Sequence, residues 1–201
     1  MKIIIFGGFL GSGKTSTILR VIAEIAARGE TAAIIENEIG EKGIDDKLFS
    51  GSGLTVKPLF GGCVCCQITG DLLAAIQEIG KQVQPDWLII EMTGLAVPGG
   101  VAAAIRQRDA GQTACKTVAL VDAERWRVLI RALEPLITSQ IRDSDAVIIN
   151  KTDVAGLDLD KVMAEVKAIG GDIPVFCSNA AARLPFRALE EALGFGSGHG
   201  F

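Results

Sequence analysis

Gly8-Phe9-Leu10-Gly11-Ser12-Gly13-Lys14-Thr15 stands directly behind the apolar run Ile3-Ile4-Ile5-Phe6 and directly before a stretch of helical periodicity. Strand, glycine-rich loop and helix in that order build a phosphate cradle. The glycines let the backbone curl until its N–H groups face one anion, and the following helix adds its positive N-terminal end. The spacing is that of the P-loop. It assigns Gly8, Gly11, Ser12, Gly13 and Ser16 to the nucleotide, sends Lys14 to the β- and γ-phosphates, and gives the Thr15 hydroxyl to Mg²⁺. A plain flexible turn would not need the flanking strand and helix.

Outward from this loop, short apolar runs alternate with helical segments. Strands are predicted over residues 2–6, 31–36, 55–59, 86–90, 116–121, 146–149 and 174–177, several of them continuous in Ile, Val, Leu and Ala, as in strands buried on both faces. Helices are predicted over 14–28, 70–82, 99–107, 123–139, 158–169 and 184–193. Ile18, Val21, Ile22 and Ile25 show the three–four spacing of one buried helical face. Such alternation predicts an α/β fold of the P-loop NTPase type: a doubly wound, mostly parallel sheet flanked by helices, with ligands at the carboxyl ends of its strands. The chain reads as a single domain over 1–194 with a flexible glycine-rich tail over 195–201. The stretch 40–53 reads as a mobile loop after the second strand.

The 201 residues are 49% hydrophobic and 22% charged, which suits one well-cored domain and excludes disorder. A net charge of −4 argues against nucleic-acid binding. No apolar run reaches bilayer length, and the P-loop occupies the place a signal peptide's apolar core would take, so a cytoplasmic protein is expected.

Asn150-Lys151-Thr152-Asp153 follows the apolar run at 146–149. Guanine presents a keto oxygen at C6 and donors at N1 and the 2-amino group; the Asp153 carboxylate accepts both donors, and the Asn150 amide meets the acceptor edge. Adenine would leave Asp153 desolvated and unpaired. Read alone, the element is also a turn whose Asp caps the next helix; with the P-loop upstream it points to GTP. Lys151 joins this element, and Ser178, at the end of the last strand, is placed to flank the base. Glu91 ends the run Leu88-Ile89-Ile90. An acid there holds Mg²⁺ through water or orients the attacking water, and Gly94 lets the backbone approach the γ-phosphate as a switch.

Five cysteines include three within four residues, Cys63, Cys65 and Cys66, preceded by Gly61-Gly62 and read as a tight loop. In a reducing compartment clustered thiols more often bind metal or do redox work than form a disulfide framework. Thiolates suit Zn²⁺, Cu(I) or Co²⁺; buried inert thiols and a redox switch are the alternatives. Glu36, Glu38 and Glu41, at and after the end of the second strand, offer carboxylates near both thiols and nucleotide. Cys115 and Cys177 lie in strand-like runs and read as buried packing residues.

Together, GFLGSGKT at 8–15, ENEIGEKGID at 36–45, GGCVCC at 61–66, EMTGLAVP at 91–98 and NKTD at 150–153 resemble the CobW-like family of metal-handling P-loop GTPases, relatives of the urease- and hydrogenase-maturation GTPases. The resemblance implies a GTP-dependent metallochaperone or metal-insertase. It would bind Zn²⁺ or Co²⁺ at Cys63, Cys65 and Cys66, with Glu36 and Glu41 as additional ligands, and would couple GTP hydrolysis to release toward a client metalloenzyme. Glu91, Glu38 or Asp45 would orient the attacking water beside Lys14. A homodimer across nucleotide is the assembly the resemblance suggests. Two departures stand out: the family's C-terminal domain is not in this sequence, whose single histidine is His199, and Ile39 stands where an aromatic residue is usual. Rival readings are an accessory GTPase for a corrinoid-dependent enzyme, with structural or redox thiols, and a small-molecule kinase, against which the NKTD element argues.

Overall fold

A computed structural model describes residues 1–36, 54–58, 65–108, 113–180 and 186–195. Seven strands, β1 (Lys2–Gly8), β2 (Ala32–Glu36), β3 (Leu54–Pro58), β4 (Trp87–Glu91), β5 (Cys115–Asp122), β6 (Ala146–Asn150) and β7 (Val175–Cys177), form one sheet in the order β3-β2-β4-β1-β5-β6-β7. Every pairing in it is parallel. The helices are α1 (Lys14–Ala27), α2 (Cys65–Gln82), α3 (Pro98–Arg108), α4 (Trp126–Ala132), α5 (Glu134–Arg142), α6 (Leu159–Gly170) and α7 (Phe186–Ala192). The doubly wound parallel sheet expected from the alternating pattern is the fold observed.

Side-chain alternation along β1 shows why the central strands are apolar throughout. Ile4 and Phe6 join Ile18, Val21, Ile22 and Ile25 of α1 on one face, whereas Ile3 and Ile5 meet Leu72, Ile76 and Ile79 of α2 on the other. Val121 and Ile149 extend that second face over α4, α5 and α6. Each such fully buried side chain contributes roughly 1.5–3 kcal/mol of transfer free energy.

Three details depart from the sequence reading. The helix expected over 123–139 is two helices, because Leu133 leaves helical geometry (φ −135°, ψ 32°) and Pro135, which has no N–H to donate, sits at the start of α5. Helix α2 begins at Cys65 instead of residue 70, so the backbone of Cys65 and Cys66 opens a helix and is not a tight loop. The tail boundary also moves: Phe195 is buried and packs edge-on against Trp87 with ring centroids 5.3 Å apart, so it belongs to the core. Among the described residues no helix is long and apolar enough to cross a membrane.

Candidate functional site

The carboxyl ends of β1, β4, β5, β6 and β7 converge on the glycine-rich loop. β1 runs into the loop through Gly8, and α1 starts at Lys14, so the loop is confined between a central strand and a helix N-terminus. Gly13 holds the turn with φ +92°, and a Cβ there would collide with the Asn150 side-chain amide. Both the backbone conformation and the space demand glycine.

Within this cradle Lys14 is buried, and its Nζ donates to the carbonyl oxygens of Gly8 at 3.1 Å and Phe9 at 3.5 Å. In a loop of this kind a phosphate is the counter-charge such an ammonium would meet. The Thr15 hydroxyl donates to Glu91 Oε1 at 2.9 Å. The two oxygens expected around Mg²⁺ therefore already adjoin, although they lie 76 residues apart in sequence. Ser16 is exposed in the first turn of α1. Glu91 pairs in register with Glu36, which is buried at the end of β2, so two acidic strand ends lie side by side.

On the base side, Asn150 is buried, and its Nδ2 donates to the Ser12 carbonyl at 2.9 Å. The amide thus ties β6 to the phosphate loop as well as standing beside the expected base position. Asp153 is exposed. Thr152 holds the adjoining loop through its Oγ1 and N, both donating to the Ser178 carbonyl, at 3.0 and 3.2 Å. The hydroxyls of Ser12 and Ser178 are buried without a hydrogen-bond partner, an expensive condition for a polar group. One lies in the phosphate loop and one at the end of β7, where a nucleotide's phosphate and base would satisfy them. The chemistry of the residues present therefore fits a nucleoside triphosphate with Mg²⁺.

Sequence reading missed Asp122. It ends β5 with a fully buried side chain, and its Oδ2 accepts from Lys151 Nζ at 2.7 Å and Arg125 Nε at 2.8 Å. Burial pushes its carboxyl up, but the hydrogen bonds from Lys151 and Arg125 prevail and hold it below the usual carboxylate value. Lys151 has φ +62°, a costly conformation for a non-glycine residue, and the ion pair helps to fix it there. Arg125 also donates to the Leu10 carbonyl at 2.7 Å. Asp122 thus joins the base loop to the phosphate loop. The clue available in the sequence was an acid ending an apolar strand, the same signal that singled out Glu91.

Gly94 lies against the phosphate loop, where a Cβ would come within 2.6 Å of the Leu10 nitrogen. Of the residues expected to hold a transition metal, Cys63, Glu41 and the nearby acids Glu38 and Asp45 lie outside the described residues. Cys65 and Cys66 are placed by their backbone at the start of α2. Burial raises the Cys115 thiol to about 11, and Cys177 is raised for the same reason.

Residues 2–176 match the nucleotide-binding domain of CobW/HypB/UreG. The chain is 32% identical over 180 residues to the zinc chaperone YjiA of Escherichia coli, covering 84% of this chain and 54% of that protein. It is 32% identical over 164 residues to the zinc-regulated GTPase metalloprotein activator 1 of Schizosaccharomyces pombe, covering 77% of this chain and 39% of the relative. It thus spans about half the length, or less, of these relatives. Among solved structures, zinc-bound YjiA GTPase from E. coli superposes with a TM-score of 0.66 at 27% identity, over 97% of this chain and 62% of that one.

Proposed function

This chain belongs to the CobW/HypB/UreG nucleotide-binding family, and from that premise we propose that it is a GTPase whose nucleotide state governs the binding and release of a transition metal. The observation that carries the reading is the pair of acidic strand ends. Glu91 touches Thr15 of the phosphate loop at 2.9 Å, and its register neighbour Glu36 leads into the segment that holds Glu38, Glu41 and Asp45. In this reading a change at the γ-phosphate is passed through Glu91 and Glu36 to a metal held by Cys63, Cys65, Cys66, Glu36 and Glu41.

In this reading residues 11–15 wrap the phosphates, with Gly8, Ser16 and Gly94 around them, and Lys14 neutralises charge developing on the β–γ bridge oxygen. Thr15 and Glu91 would hold Mg²⁺, which when bound withdraws charge from the same phosphates. Asn150, Lys151, Asp153 and Ser178 take the guanine. Glu91, Glu38 or Asp45 orients the attacking water. Zn²⁺ is the preferred cargo, because the relatives named above are zinc chaperones or zinc-regulated, with Co²⁺ as the alternative that the thiolate and carboxylate donors admit. A client metalloenzyme, a homodimer and a cytoplasmic location complete the proposal.

The test is a Zn²⁺ titration of the reduced protein loaded with GDP or with a non-hydrolysable GTP analogue. The affinities should differ, and metal should shift nucleotide affinity by the same factor. Equal zinc affinities in both states would sink the cycle.

A further inference from the structure

Gln140 of α5 is a buried amide, and its side-chain hydrogen bonds go to the turn after Glu91. Its Nε2 donates to the carbonyl oxygens of Gly94 at 3.2 Å and Ala96 at 2.9 Å. Both donors of one neutral amide are thus spent on the turn that follows Glu91. That turn is closed on itself by Ala96 N donating to the Thr93 carbonyl at 3.0 Å. The two pinned carbonyls bracket Leu95, whose side chain is turned out to solvent at 71% exposure.

The preceding helix grips the other side. Arg125, the residue before α4, donates from Nη2 to the Leu10 carbonyl at 2.7 Å, and Gly94 leaves no room for a Cβ against the Leu10 nitrogen. The Leu10 peptide is therefore held between Arg125 and the Gly94 turn, and Gln140 holds that turn from behind. Helices α4 and α5 share one apolar cluster through Trp126, Leu129, Ile137 and Ile141, so the two grips belong to one packed body.

We propose that Gln140 is a positioning residue for the γ-phosphate-sensing turn, and that with Arg125 it makes the α4–α5 pair a clamp that moves with nucleotide state. The proposal rests on the GTPase reading above. A buried amide serving two carbonyls has discrete bonded arrangements, so a small displacement of Gly94 must either drag α5 or break hydrogen bonds that water cannot replace. GDP, which has no γ-phosphate, would not use this turn. Its affinity should not depend on Gln140.

The test is Gln140→Met, which keeps length and apolar fit but removes both donors. Affinities for GDP and for guanosine 5′-(β,γ-imido)triphosphate are measured with Mg²⁺. GDP affinity should stay within about twofold, while the analogue weakens at least about fivefold, the lower range of such couplings. Equal weakening for both nucleotides, or no change for either, overturns the proposal and leaves the GTPase reading intact. Failure of the unaltered protein to bind either nucleotide overturns both. Should the variant not fold, hydrogen exchange on the unaltered protein decides: amides over 93–97 and in α5 should differ in protection between GDP and analogue, and identical protection overturns the clamp.

Discussion

At the amino end of the strands, Asp145 accepts from Thr117 N at 2.8 Å, Thr117 Oγ1 at 2.9 Å and Lys116 Nζ at 3.1 Å, while Glu190 of α7 accepts from Lys2 at 3.2 Å and Arg28 at 2.6 Å. The same two cations lie over the rings of Trp87 and Phe186. Polar groups there are matched with groups of opposite charge, and the effect is to fasten α7 and the strand starts. At the carboxyl end the hydroxyls of Ser12 and Ser178 are buried without a hydrogen-bond partner, and Lys151 is held at positive φ. Folding alone would not retain such groups, since each costs stability. The difference separates groups that fasten the fold from groups that the proposed nucleotide would satisfy.

The sharpest way to break that comparison is Lys14→Ala. Turnover of GTP should fall by roughly a thousandfold, while the thermal unfolding midpoint changes far less. A large drop in stability with turnover retained would put Lys14 in the wrong region. Asp122→Asn comes next and lies between the two classes. Its carboxylate is paired as thoroughly as any at the amino end, yet both partners serve the ligand loops. Nucleotide affinity should fall about tenfold and stability by about 2 kcal/mol, the larger part of a lost charged hydrogen-bond pair. Equilibrium denaturation and nucleotide titration on one sample separate the two effects. Glu190→Gln is the converse case. It should cost about 1–2 kcal/mol in denaturant unfolding and leave GTP affinity unchanged; a shift in affinity would mean that the amino-end network reaches the site.

How much of this was legible in the sequence follows the same division. The places of the loop at 8–15, of Glu91 and of Asn150 at the carboxyl ends of their strands were readable because each directly follows a continuous apolar run. The parallel sheet was readable because strands such as Ile3-Ile4-Ile5-Phe6 must be apolar on both faces. Asp122 and Gln140 were not. Asp122 meets Lys151 from 29 residues away as well as its neighbour Arg125, Gln140 meets Gly94 from 46 residues away, and nothing local distinguishes a buried glutamine from a solvated one. The break at Leu133 was missed because the apolar period runs through it on both sides and only Pro135 marks the change. The glycine-rich neighbours of Phe195 read as tail, whereas its ring finds Trp87 across the core. Cys65 and Cys66 were recognised by their spacing, but their place at the opening of α2 was hidden by the glycines before them.

The smallest expected effect concerns pH. Burial pushes the Asp145 carboxyl up, yet donation from the Thr117 backbone and hydroxyl and from Lys116 outweighs it, and the group titrates below its ordinary value. Asp86 is lowered as well, chiefly by the Thr31 backbone N–H and hydroxyl. A carboxylate depressed in the folded state stabilises that state fully above its unfolded value of about 4 and loses the contribution as pH falls through the folded one. Stability should therefore be flat near neutrality and decline below about pH 4. Asp145→Asn, which cannot ionise, should lower the neutral plateau and flatten the acid decline, because the difference between the variant and the unaltered protein shrinks as the native carboxylate becomes protonated. Parallel unfolding curves across that range would mean that Asp145 contributes through shape alone. Asp122 is depressed too, but its partners face the ligand loops. A bound guanine nucleotide should therefore displace the acid limb more in the unaltered protein than in Asp122→Asn, whereas the Asp145 contribution should be the same with and without nucleotide.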